Sequence, residues 1–183
     1  RTSPTNIGMS LLANLAAYDF GYICAGEFLR RTGNTLATME KLERYRGHFY
    51  NWYDTQSLRP LHPVYISTVD SGNLAGHLLT LRPGLLALVD RPILEPRWLD
   101  GLGDTLGIVE EAAGDAATVS LAEFRGVLEA ACDARPATLG SVRRLLERLV
   151  SSAEAVAAGE VEARTTAGDH VEHARAGDGA EHL

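Results

Sequence analysis

Apolar residues recur at intervals of three and four along most of this chain, and only between residues 45 and 70 does that rhythm fail. The interval places them on one face of a helix, so the chain is constrained to bury helical stripes against one another. Ser3-Pro4 is a strong helix start, because Ser can accept from free N–H groups and Pro has no N–H to lose at the first position. Ile7, Leu11, Leu12, Leu15 and Tyr18 then predict a helix to about Asp19. Phe28, Leu29, Leu36, Met39 and Leu42 predict a second from about Ala25 to Glu43, which Gly33-Asn34 weakens without stopping. A third begins near Thr68 or Ser71 and carries Leu74, Leu78, Leu79 and Leu81, with Pro83-Gly84 expected to kink or break it before 85–89. Others are expected over 95–113, from Ser120 with a Ser120-Leu121-Ala122-Glu123 capping box, and over 137–158. No β-sheet pattern or solenoid repeat is visible, so the fold class is all-α.

The interruption carries the chemistry. Pro60 and Pro63 forbid a continuous helix there, and an extended piece over 49–53, a turn over 54–57 and an irregular approach to the next helix are expected. The stretch Arg46-Gly47-His48-Phe49-Tyr50-Asn51-Trp52-Tyr53-Asp54, followed by Ser67-Thr68-Val69-Asp70-Ser71-Gly72-Asn73, mixes aromatic faces with amides and carboxylates. Sugars are bound by such a mixture, ring C–H bonds on the aromatic plane and hydroxyls on the polar groups. An aromatic loop could equally seal the end of a helical core. Only Trp98 and Phe124 among the aromatics follow Tyr65, so chemistry is expected in the first half and scaffolding in the second.

A formal net charge of −7 argues against a general phosphate-backbone binder. Arg30-Arg31 and Arg143-Arg144 read as solvated helix faces. Cys24 and Cys132 form no metal or disulfide pattern and are expected to be buried free thiols. No apolar run approaches the ~20 residues that span a bilayer, and no signal peptide is recognisable. Arg1-Thr2-Ser3-Pro4 without an initiator Met, and a Gly-, Ala- and acid-rich tail over 159–183 expected to order poorly, suggest a piece of something longer.

Asp54 can be a sugar-hydroxyl acceptor beside Trp52, or the first residue of an Asp-Thr-Gln-Ser turn, which carries more weight. Asp70 lies at a helix N-terminus, where the macrodipole favours a carboxylate, so N-capping is its default role. The same place would hold it ionised at the mouth of a helical barrel, with Asn73 and His77 one to two turns on. His48, His62 and His77 are too scattered for a metal motif, and His170-x-x-His173 lacks a further ligand. Gly101-Leu102-Gly103 lacks the strand and third Gly of a phosphate loop. A glycosidase would need two carboxylates flanking one bond, and Asp54 and Asp70 are the pair to nominate.

Thr2-Ser3-Pro4-Thr5-Asn6-Ile7-Gly8, then 47–54, then Ser67-Thr68-Val69-Asp70-Ser71-Gly72-Asn73-Leu74-Ala75-Gly76-His77-Leu78, resemble the middle region of bacterial cyclic β-1,2-glucan synthases. The resemblance covers 1–89 well and the helices to about 158 loosely. It implies the first part of a glycoamylase-like (α/α)6 toroid of antiparallel helices over 1–89, a helical extension over 90–158 and a polar tail over 159–183. The implied work is cutting and rejoining linear β-1,2-glucan into rings by transglycosylation. Asn51, Trp52, Tyr53 and Asp54 match one motif lining the sugar cleft, Ser67, Asp70 and Asn73 a second, and Asn6 lies in the motif opening an inner helix. The family's acid and nucleophile glutamates are expected downstream of this region. Pro83 and the tail depart from the family's pattern.

The resemblance thus implies a fragment that contributes part of a glucan-binding cleft and is inactive alone, with no cofactor and no metal. β-1,2-glucan and the remaining domains of a parent synthase would be its partners, not nucleic acid, and it would lie on the cytoplasmic side of the inner membrane without contacting the bilayer itself. Two rivals stand beside it: a helical interaction module docking on partner domains, and a small glycoside hydrolase using Asp54 and Asp70.

Overall fold

The computed structural model describes residues 1–92, 95–114, 119–134, 136 and 138–177, with side chains up to residue 158. In chain order it contains α1 (Pro4–Asp19), α2 (Ala25–Lys41), β1 (Arg44–Tyr45), β2 (His48–Phe49), α3 (Thr68–Ala87) running into a 3₁₀ turn (Leu88–Asp90), α4 (Arg97–Ala113), α5 (Val119–Ala134) and α6 (Leu139–Gly177). The protein is mostly helical, as the apolar spacing requires. Two compact units divide it, residues 1–102 and 103–183.

The first unit is built on three helices whose directions follow from their contacts. Tyr18, near the end of α1, stacks on Phe28, near the start of α2, with ring centroids 5.5 Å apart. Ile7 and Met39 line a common cavity at the other end of the same pair. The two helices are therefore antiparallel. On α3, Asp70 meets Thr5, His77 meets Gly8 and Gly84 meets Leu15. Both numbers rise together, so α3 runs parallel to α1 and their N-termini lie at one end. The core between these helices contains Ile7, Leu11, Phe28, Met39, Leu42, Leu74 and Leu81, closed by Tyr53 from the loop.

Close approach of α1 and α3 depends on two glycines. A Cβ on Gly8 would stand 2.3 Å from His77 Nδ1 and 2.9 Å from His77 Cβ, and one on Gly84 would stand 2.6 Å from a Leu15 methyl. At the far end of α1, Asp19 accepts from Arg91 at 2.9 Å and Arg97 at 3.0 Å, while Arg97 also pairs with Glu95 at 2.9 Å. These pairs fasten the helix to the start of α4.

Several expectations need correction. Residues 44–49 form a two-stranded hairpin, Arg44 opposite Phe49 and Tyr45 opposite His48. Arg46 (φ 51°) and Gly47 (φ 87°) supply the paired positive φ angles of a two-residue hairpin turn, in strands too short to show alternation. Pro83 does not break α3, which continues to Ala87. It lies on the exposed side of the helix, where the carbonyl one turn back can turn to water. Asp70 does not cap α3: Ser67 does, its side chain accepting from Asp70 N at 3.1 Å. Cys24 and Cys132 are free and exposed, Cys24 at the N-cap of α2 and Cys132 on the outer side of α5 beside buried Ala131.

In the second unit α5 packs on α6, burying Leu121, Phe124, Leu128 and Ala131 of one and Val142, Leu145 and Leu149 of the other. Thr138 and Ser141 exchange side chain-to-backbone bonds at 3.1 and 3.2 Å and so close the start of α6. Ser120 lies inside α5, which begins at Val119; its preceding residues 115–118 fall outside the described set. The α6 backbone continues beyond 158 to Gly177, and the side chains of the expected tail, His170 and His173 included, lie outside the described residues. No helix among the described residues is long and apolar enough to cross a membrane.

Adding one methyl at Gly8 should separate α1 from α3. We expect Gly8→Ala to cost on the order of 1–3 kcal/mol through overpacking, read as a lower urea midpoint. His77→Ala removes the ring but not the Cβ from that contact, so the double variant should recover part of the loss.

Candidate functional site

Because α2 returns the chain to the N-terminal end of α1, the segment between α2 and α3 stays at that end. Thr2 pairs with Tyr53 through N→O bonds of 2.9 and 2.8 Å. Residues 51–61 fold back on themselves: Leu61 N donates to Trp52 O at 2.9 Å and Asp54 N to Arg59 O at 2.9 Å. All three motif segments therefore gather around the start of α1.

Side chains alternate along the extended piece, as strand geometry demands. Asn51 and Tyr53 point inward and are buried, whereas Trp52 and Asp54 are half-exposed. Tyr53 is 0% exposed, and its hydroxyl donates to Glu43 O at 2.7 Å and accepts from Tyr50 N at 2.8 Å. Burial pushes its phenol up. Asn51 bonds to Tyr65 through its backbone N–H, and its Oδ1 accepts from Tyr65 N at 3.4 Å. These two hold the loop on the core. The Arg1 guanidinium lies 4.6 Å from the centroid of the Trp52 ring and covers one face of it.

Asp54 forms the turn its sequence suggests. Its Oδ1 accepts from Ser57 N at 2.6 Å, Ser57 Oγ at 2.8 Å and Gln56 N at 3.0 Å. Those donors, Ser57 foremost, hold the carboxyl below the usual range. Asp70 belongs to a separate network. Its Oδ1 accepts from Thr5 Oγ1 at 2.6 Å, and Asn73 Nδ2 donates to the same Thr5 oxygen at 3.1 Å. Partial burial of Asp70 would raise its pKa, but hydrogen bonds from Thr5, Ser67 and Ser3 outweigh burial and lower it. Asn6, exposed, donates its N–H to the capping Ser3 Oγ at 3.3 Å.

Asn6, Ser67, Asp70 and Asn73 are thus brought together at two adjacent helix starts, while Trp52 and Asp54 face outward from the neighbouring 51–61 loop. Thr5, which joins the α1 and α3 groups, was not singled out by sequence. Its signals were its place in the Thr2–Gly8 motif and its position two residues after the Ser3 cap. His77 sits against Gly8, and its Nδ1 is buried without a hydrogen-bond partner among the described residues. A cavity of about 250 Å³ nearby is lined by Ile7, Met39, Leu42, Tyr53 and Leu58 with a threonine rim, and includes neither Trp52, Asp54 nor Asp70. Among the described residues no three His, Cys, Asp or Glu are grouped to hold a metal.

Fold and site together describe a mostly helical segment with carboxylate, amide and aromatic groups at one end. No family model matches the chain. It is 44% identical over 116 residues, 63% of its length, to the cyclic β-(1,2)-glucan synthase NdvB of Rhizobium meliloti (strain 1021). The chain is related to a piece of that synthase and spans 4% of its length.

Two outcomes test this description. Tyr53→Phe strands the Glu43 carbonyl and the Tyr50 N–H, and should cost about 1–3 kcal/mol in urea unfolding. The lowered pKa of Asp70 means that its stabilisation is present above its unfolded-state pKa and fades as pH falls through the lower folded value. Asp70→Asn should therefore lose part of the acid-side slope of stability against pH, measured by denaturant midpoints across the carboxylate range.

Proposed function

We propose that this chain is a piece of a cyclic β-1,2-glucan synthase that contributes part of the glucan-binding cleft of an (α/α)6 toroid. Residues 1–89 would begin the toroid and 90–158 extend it. The observation that carries the reading is the parallel pairing of α1 and α3, with α2 returning antiparallel between them. A toroid of alternating inner and outer helices needs that order, and it gathers the loops at the mouth. Identity to the Rhizobium synthase supports glucan as ligand and a larger parent as partner.

In this reading Asn6, Trp52, Asp54, Ser67, Asp70 and Asn73 meet the sugar, and Asn51 and Tyr53 shape the loop from beneath. The glutamates that would act as acid and nucleophile lie on other parts of the parent, so the chain is inactive alone. The parent would hold it on the cytoplasmic side of the membrane.

Titrating the chain with linear β-1,2-glucan, followed by Trp fluorescence and calorimetry, tests the proposal. Trp52→Ala and Asp70→Asn should each abolish binding while circular dichroism stays unchanged. Sustained release of rings or short glucans by the chain would overturn the claim of inactivity.

A rival role as an interaction module is favoured by the exposed Leu79 and Leu86 on the side of α3 away from α1. Unchanged glucan response in both variants, with self-association or partner capture lost in Leu79→Lys, would favour that role instead.

A further inference from the structure

We infer that Thr5 is a positioning residue for the proposed glucan site, fixing through its hydroxyl which oxygen of Asp70 meets the sugar. The inference rests on the glucan-binding reading above.

A carboxylate on an Asp side chain turns easily about its last torsion, because the preference there is broad and two-fold. Something must choose its orientation if it is to pair with one hydroxyl of a ring. The Thr5 hydroxyl reaches across from the first turn of α1 and donates to Oδ1 at 2.6 Å, within the short range of a charge-assisted O–H···O⁻ bond.

Thr5 could in principle rotate and donate elsewhere. The Asn73 amide prevents this by donating into the same hydroxyl oxygen at 3.1 Å. A hydroxyl has one proton, and with its oxygen already accepting, that proton is directed at Asp70. Asp70 N is meanwhile pinned to Ser67 Oγ at 3.1 Å. Main chain and carboxylate are thus held from two helices, with Ser67 and Ser3 as further donors to the carboxylate, and the short Thr5 bond marks Oδ1 as the oxygen turned to the protein. Thr5 does this without touching the sugar.

Valine has the shape of threonine and no hydroxyl, so Thr5→Val removes the bond and little packing. The chain, labelled with ¹³C, is titrated with linear β-1,2-glucan, and the Asp70 Cγ resonance is followed in wild type, Thr5→Val, Thr5→Ser and Asn73→Ala. The expected result is a tenfold or greater loss of affinity and a displaced Cγ resonance in Thr5→Val, restoration of both in Thr5→Ser, and a smaller loss in exposed Asn73→Ala.

If wild type binds and Thr5→Val binds equally well, the inference fails and the glucan-binding reading stands. Should wild type not bind at all, both fail. If Thr5→Val does not fold, Thr5→Ala decides: unchanged affinity and an unmoved Cγ resonance overturn the role given to Thr5, and a loss with a shifted resonance supports it.

Discussion

The contact between α1 and α3 governs the N-terminal unit. Two helices running in the same direction bring their positive ends together, an arrangement that their macrodipoles disfavour. Gly8 and Gly84 allow the backbones to approach closely, so burial of Ile7, Leu11, Leu74 and Leu81 can outweigh that repulsion. Asp70 supplies a negative charge at the crowded end. A carboxylate on the first turn of α3, hydrogen-bonded to the first turn of α1, offsets both dipoles at once. The same residue is thereby held ionised and only partly buried, as a binding site would require.

Helix direction also decides where the loop can go. Since α2 is antiparallel to α1 and α3 parallel to it, residues 42–67 must begin and end at the N-terminal side. Thr2 then bridges to Tyr53, and the turn of the 51–61 loop is set by Asp54. Groups far apart in sequence meet because three helices reverse direction twice.

The helices were legible in the sequence because each buries a stripe at helical spacing, and Ser3-Pro4 marked the first start correctly. Pro83 misled, since its cost depends on whether the freed carbonyl faces water, which the order of residues does not tell. Asp70 misled in a different way. Ser67 and Asp70 both suit a cap, and only the pairing of α1 with α3 decides which one caps and which reaches across. Thr5 could not be recognised because its partners lie 65 and 68 residues away. The cysteines were expected inside on their usual preference, yet a helix start and an outer face place them outside.

The loop posed a choice between sealing a core and lining a cleft, and the alternation of its side chains lets one segment seal the core and still present groups outward. Asn51 and Tyr53 face inward; Trp52 and Asp54 face outward. A single extended segment can do both only if its inward residues are fully satisfied, because an unpaired phenol or amide in the core would cost as much as the packing gains. Tyr53 meets that condition through Glu43 and Tyr50, and Asn51 through Tyr65. The polar groups of the inner row therefore serve the fold. Any chemistry at this end has to come from the outer row and from the carboxylate shared by α1 and α3.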